Sequence, residues 1–222
     1  MNVTDAVLAR HAARAFKPDA VPAELLRKLL ETAKRAPSGG NLQPWRVFAL
    51  AGQALTEFKA LIAAKLEAGI DGEPPEYRIY PAGLWEPLRS RRRVAGAMRY
   101  AALGLPRGDA SQRELTVRNF HFFGAPVGLF FCLDRRAGPP QWADVGMYMQ
   151  TLMLLAIEHG LATCPQEVWA NWPKSIAGYL QLPSELMVFA GMSLGYEDAG
   201  APLNQFRTDR EAFDGFARMI GF

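Results

Sequence analysis

A chain of 222 residues is enough for one sizeable hydrophobic core and too short for two comfortable domains. Half of its residues are hydrophobic and 21% are charged, the balance of an ordinary soluble globular protein. A net charge of +3 suits an anionic cofactor or substrate and falls far short of what nucleic-acid binding demands.

Taken in order, Thr4 is placed to cap a short first helix that presents Val7 and Leu8 and ends near Arg10. Arg10, His11 and Arg14 follow within five residues. Such a cluster is either a solvated basic turn or a phosphate clamp, in which guanidiniums give forked, charge-assisted hydrogen bonds. Pro22 and Glu24 suit the first turn of the next helix, whose buried face is Leu25, Leu26, Leu29, Leu30 and Ala33 at helical spacing.

That helix delivers the stretch Arg35–Arg46. Pro37 ends the helix, and Ser38, Gly39 and Gly40 leave backbone N–H groups with little side chain over them. Asn41 and Gln43 add amides suited to the edge of a heterocycle. The same residues also read as a helix C-cap and a tight turn. A buried strand is expected at Arg46–Leu50 and an amphipathic helix at Ala54–Ala68.

From Gly69 to Pro87 prolines and glycines forbid regular structure, and a loop of this length inside a domain is usually a lid or a binding loop. Tyr77, Tyr80 and Trp85 either pin it to the body or wall a pocket for an aromatic substrate. Arg89, Arg91, Arg92 and Arg93 open a helix running to about Leu103 and read mostly as solvated, the alternative being that one or two meet an anionic substrate or the phosphates of a nicotinamide cofactor. Ser111–Glu114 has the pattern of a capping box opening a further helix, which leads past Arg118 and Asn119 to an apolar strand at Val127–Leu133.

Trp142–His159 is apolar nearly all round and belongs at the centre of the molecule or across a large interface. Pro173–Leu182 is a short helix and Leu186–Gly195 a final central strand. The tail carries Asn204, Arg207, Thr208 and Arg210.

Cys132 reads as a small core residue, and two cysteines make no disulfide framework, so a reducing cytoplasm is expected. No signal peptide is visible, and the longest apolar run, Met147–Ile157, is too short to span a membrane. Dinucleotide, P-loop, zinc-protease and nucleophile-elbow motifs are all missing. Cys164 has Glu167 near it in sequence, and a carboxylate neighbour makes a thiol less nucleophilic.

Arg10–Arg14 (Arg-His-Ala-Ala-Arg) followed by Ala36–Trp45 resembles, in order and distance, the two N-terminal signatures of the FMN-dependent nitroreductase family. His159–Glu167 adds support, and the resemblance covers nearly the whole chain with a divergent middle at Gly69–Leu115. It implies one domain over residues 1–222, with a lid around 69–115, in the nitroreductase-like α+β fold: a small mixed, mainly antiparallel sheet flanked by helices, in an intertwined homodimer.

By the same resemblance Arg10, His11, Ala12 and Arg14 hold the FMN phosphate and ribityl chain. Ala12 stands where the family usually has Ser or Thr, so one hydroxyl contact is missing. Pro37, Ser38, Gly39, Asn41 and Gln43 reach the flavin from the partner subunit. Asn119 (or Arg118) contacts it from before the strand. A loop through Pro165, Gln166 and Glu167 runs along the ring, its N–H groups toward N5 and O4. Arg207 and Arg210 return to the phosphate, and the tail embraces the partner.

The implied reaction is ping-pong, from NADH or NADPH through the flavin to a nitroaromatic or quinone-like acceptor, with no obligatory protein acid, base or nucleophile. Other flavin chemistry on this fold (reductive dehalogenation, flavin breakdown, azoline dehydrogenation) and non-catalytic flavin binding remain open.

Overall fold

Asn2 opens the first helix, α1 (Val3–Ala9), accepting the Asp5 N–H on its side-chain oxygen at 2.8 Å. Thr4, expected as the cap, already lies inside the first turn; Asn2 holds the extended backbone that a cap requires. Of this helix only Ala6 is buried, and Val7 and Leu8 stand in solvent. The computed structural model describes residues 1–104, 106 and 108–222; Leu105 and Arg107, in the divergent middle, lie outside it.

α2 (Ala23–Ala33) buries Leu29 and Ala33 and is followed by a 3₁₀ turn at Gly39–Asn41, β1 (Arg46–Ala51) and α3 (Gly52–Glu67). Between Glu67 and Leu88 there is no helix or strand, as the prolines require. α4 (Leu88–Ala102) and α5 (Asp109–Phe120) close this middle region. Ser111 sits inside α5, where its Oγ accepts the Gly108 N–H at 3.0 Å; the helix thus begins ahead of the expected box.

β2 (Val127–Asp134), α6 (Pro139–Glu158), β3 (Ala162–Gln166), α7 (Pro173–Leu180) and β4 (Leu186–Gly195) complete the body, and short α8 (Pro202–Gln205) and α9 (Phe213–Phe216) lie in the tail. The strands run in the order β1-β2-β4-β3, each neighbouring pair antiparallel. The parallel component of this α+β sheet is the isolated bridge between Ala12 and Thr163.

β2 is buried on both faces, because side chains alternate along a strand and each face meets its own core. Val127, Leu129, Phe131 and Leu133 join α2 and the central α6, whose Val145, Leu152 and Ala156 are fully buried. Phe130 and Cys132 join Phe58 of α3 with Trp169 and Trp172. A Cβ added at Gly191 would stand 2.2 Å from Cδ1 of Trp169, so glycine is what lets the indole lie on β4.

Leu161–Glu167, expected as a loop, is largely strand: Ala162 to Gln166 pair with Gly195 to Gly191. Pro165 is tolerated because β3 forms the edge of the sheet. Among the described residues no helix is long and apolar enough to cross a membrane.

Candidate functional site

The basic N-terminal segment is extended and sewn onto the C-terminal half of the chain. Ala13 N–H donates to Thr163 O at 3.0 Å and Lys17 N–H to Tyr196 O at 2.8 Å. Asn204, almost wholly buried, accepts the Arg14 N–H at 2.6 Å and donates to Ala15 O at 2.8 Å and Asp198 O at 2.9 Å. His11 has both ring nitrogens engaged within the protein, Nε2 2.8 Å from Glu197 Oε1 and Nδ1 3.1 Å from Ala9 O. It therefore fastens the segment to the end of β4. Ala12 contributes only backbone, through its bridge to Thr163.

Arg10 is half-buried, and burial followed by the charge of Arg210 holds its guanidinium below the ordinary range. Among the described residues neither arginine pairs with a carboxylate. Arg207 is turned away, with Nη1 donating to Asn204 O at 2.7 Å and Phe206 O at 3.0 Å.

Beside this segment lies a cleft of about 700 Å³, lined by Arg14, Asn119 and Pro165–Glu167 together with Tyr77, Tyr80 and Cys164. Tyr77 donates its hydroxyl to Phe189 O and packs its ring edge-on against Trp142, centroids 5.1 Å apart. Burial, and then Glu167, raise its phenol well above its usual range. Tyr77 thus rivets the lid to the sheet. Tyr80 is half-exposed with the Arg92 guanidinium 4.0 Å above its ring. Trp85 is exposed and does not line the cleft, which corrects its expected place in the pocket wall.

The Gln166 side chain is wholly engaged in holding the site together. Its amide nitrogen donates to Asn119 O and Oδ1, both at 2.7 Å, and its oxygen accepts from Ser193 Oγ at 2.8 Å. Glu167 lies at the cleft surface, where loss of solvation pushes its carboxyl up. Burial also raises the Cys164 thiol, against the lowering effect of Arg14 and Arg99. The positive neighbours not visible in sequence are present, yet burial outweighs them and the thiol stays inert. Cys132 is likewise pushed up to about 12, by burial and then Glu76.

Arg78, Arg92 and Arg99 line the cleft; the sequence reading named Arg92 and missed Arg78 and Arg99. Arg92 and Arg99 are seven residues apart on α4, which sets them on one helical face; that spacing was the available signal. Arg99 is held below its ordinary range by burial and then by Arg14, and its Nε is buried without a partner.

Pro37, Ser38, Gly39, Asn41 and Gln43 do not line this cleft. Their turn is exposed, with Gly40, Asn41 and Gln43 at positive φ (56°, 55° and 49°). Ser38 Oγ accepts the Gln43 N–H at 3.0 Å, and Gly39 N–H reaches Asp144 Oδ1 of α6 at 3.3 Å. Holding Asn41 and Gln43 in the left-handed region, which few non-glycine residues adopt, fixes an outward-facing turn.

Among the described residues no group of three His, Cys, Asp or Glu side chains is arranged to hold a metal. The site is therefore a cationic binding cleft without an activated protein nucleophile.

The model of the nitroreductase family matches residues 7–196. The chain is 36% identical over 219 residues to a nitrobenzene nitroreductase of Ectopseudomonas oleovorans, covering 98% of this chain and 96% of that one. It is also 36% identical over 220 residues to a 4-nitrobenzoate reductase of Pseudomonas putida, with the same coverage of 98% and 96%. Among solved structures, the FMN and NADPH-dependent nitroreductase NfnB from Sphigopyxis sp. strain HMH superposes with a TM-score of 0.95 at 41% identity, over 100% of both chains.

Proposed function

This chain belongs to the nitroreductase family, and from that premise we propose that it is an FMN-dependent oxidoreductase reducing nitroaromatic acceptors with NADH or NADPH. The observation that carries the reading is the cleft of about 700 Å³ whose wall brings together Arg14, Asn119 and Pro165–Glu167, with Arg14 unpaired by any carboxylate among the described residues. A guanidinium with uncompensated charge, here Arg14 and the half-buried Arg10, is a forked donor that fits a phosphate monoester.

In this reading Arg10 and Arg210 take the FMN phosphate, and Arg14, Asn119 and the Pro165–Glu167 edge lie along the rest of the cofactor. FMN, when bound, supplies the two-electron relay between nicotinamide and acceptor, in ping-pong order. The protein's part is binding and orientation. Asn204 holds the Arg14 backbone, the Gln166–Asn119–Ser193 network fixes β3, and Tyr77 keeps the lid root against the sheet.

The site is completed in a homodimer, with the exposed Pro37–Gln43 turn reaching the partner's cofactor. The exposed Val3, Val7 and Leu8 of α1 and Phe213, Phe216 and Ile220 of the tail then find cover in the intertwined interface. The whole chain forms one domain whose lid spans residues 69–115, working in the cytoplasm. Quinone-like acceptors fall within the same chemistry. Relatives of equal identity are named for a neutral and for a carboxylated nitroarene, so likeness leaves the charge of the acceptor undecided.

The test begins with the purified protein, which should be yellow and release FMN on denaturation. Under anaerobic conditions NADH or NADPH should bleach it and a nitroarene restore the colour. Arg10→Ala and Arg210→Ala should each weaken FMN binding by about 1.5–3 kcal/mol, the worth of a hydrogen bond to a charged group. A colourless protein that takes up no FMN would overturn the proposal.

A further inference from the structure

Four of the five arginines of α4 divide into two sets, and the exposed Arg93 belongs to neither. Arg89 and Arg91 point away from the cleft and are matched, Arg89 by Glu86 at 2.8 Å and Arg91 by Glu211. Arg92 and Arg99 line the cleft with Arg14 and Arg78, and among the described residues none of these four has a carboxylate partner. Among the described residues the one acidic side chain on the cleft wall is Glu167, whose carboxyl is pushed up by desolvation and is a weak counter-charge. Four guanidiniums against one carboxylate leave an excess as large as the net charge of the entire chain, +3.

Like charges crowded without compensation are costly, and the buried, partnerless Nε of Arg99 adds an unmet donor. An anion in the cleft would offset the crowded charge. Arg92 lies over the Tyr80 ring, 4.0 Å from its centroid, so the aromatic side chain supports the guanidinium at the cleft. A planar cation held this way suits an anionic group on a flat ligand. Arg10 and Arg210 do not line the cleft, and with Arg14 given to the cofactor in the reading above, Arg78, Arg92 and Arg99 are the guanidiniums of its wall open to another ligand.

We propose that Arg78, Arg92 and Arg99 form an anion subsite that selects nitroarenes bearing a carboxylate or comparable acidic substituent. The proposal rests on the nitroaromatic reading above and names the acceptor class within it. The same guanidiniums could meet a phosphate of the nicotinamide or of the flavin, and the experiment separates these sources.

Steady-state kcat/KM is measured on the FMN-loaded protein for 4-nitrobenzoate and for nitrobenzene, in wild type, Arg92→Gln, Arg99→Gln and the control Arg89→Gln. Wild type should prefer 4-nitrobenzoate, and added salt should erode the preference. Each cleft variant should lower the 4-nitrobenzoate to nitrobenzene ratio about tenfold, mainly through KM, the effect of losing one charge-assisted hydrogen bond. Arg89→Gln should keep the wild-type ratio, and Arg99→Lys should restore part of what Arg99→Gln loses. Arg92 is exposed, so its variant keeps the fold and decides the matter if Arg99→Gln does not fold.

An unchanged ratio in Arg92→Gln, or a wild type without preference that still reduces nitrobenzene, overturns the subsite and leaves the nitroreductase reading standing. Loss of preference for NADPH over NADH in anaerobic flavin reduction, with the acceptor ratio intact, assigns the anion to the reductant and overturns it too. Loss of bound FMN with the ratio intact does the same in favour of the cofactor phosphate. A flavin-loaded wild type that reduces neither nitroarene overturns the reading and the subsite together.

Discussion

Replacing Asn204 by alanine tests the join between the two ends of the chain. The Asn204 side chain takes part in three hydrogen bonds, all to backbone, and is 3% exposed. At about 1 kcal/mol net for each bond, Asn204→Ala should destabilise the protein by about 3 kcal/mol. Asn204→Asp is the sharper variant. It keeps an acceptor for the Arg14 N–H but turns the two donors into oxygens facing the carbonyls of Ala15 and Asp198, so it should cost at least as much. Both should weaken FMN binding, because the segment that carries Arg14 loses its bond at Ala15 O in either variant. Urea unfolding at fixed protein and FMN concentration gives the stability change, since cofactor and any partner subunit both shift the midpoint. A loss below about 1 kcal/mol for both variants would show that the segment is held by its strand-like pairing alone, and the reasoning would fail.

Gly191→Ala should cost about 3 kcal/mol or more and disturb the near-ultraviolet signal of Trp169, since a Cβ there meets the indole at 2.2 Å; a silent substitution would refute the tight packing. Burial raises the Glu73 carboxyl, but hydrogen bonds from Ser175 Oγ, Ser175 N–H and Lys174 N–H, with the Lys65 charge, outweigh it and hold it below 4.5. A depressed folded value means stability present above the unfolded value and lost as pH falls through the folded one, so the lid root should loosen in acid below about 4.5. Glu73→Gln should remove that acid limb from protease susceptibility of residues 69–87, and an unchanged limb would point to another group. Arg14→Ala and Asn41→Ala, each inactive yet dimeric, should regain up to roughly a quarter of wild-type activity when mixed, because random pairing leaves one intact site in half of the dimers. No recovery in isolated mixed dimers would place both residues in one subunit's site.

Periodicity made the body of the fold legible. Leu186–Gly195 was readable to both ends because its apolar run is bounded by a proline-containing turn and a polar exit. α2 followed from its helical spacing, and the stretch without helix or strand between Glu67 and Leu88 from its prolines. Local signals failed where a distant partner decides the outcome. Pro165 made β3 look like a loop, since nothing in its neighbourhood shows that its outer edge is left almost unpaired. Gln166 read as a ligand contact, whereas Ser193 and Asn119, 27 and 47 residues away, claim its amide. The clustering of Arg14 with Arg99 joins α4 to the N-terminal segment across the fold, and no window of sequence contains both.

The sewing of Arg10–Lys17 onto residues 163 and 196–204 also sets an order of events during synthesis. His11 finds its carboxylate 186 positions later, and Arg14 its amide 190 positions later. While the ribosome is still at work the basic segment has nowhere to dock, and such non-local pairing forms late in folding. Residues made first are thus seated last. A chain stopped before Thr163 leaves its basic arm unmoored, and one stopped between Glu197 and Asn204 seats the arm without its anchor at Arg14.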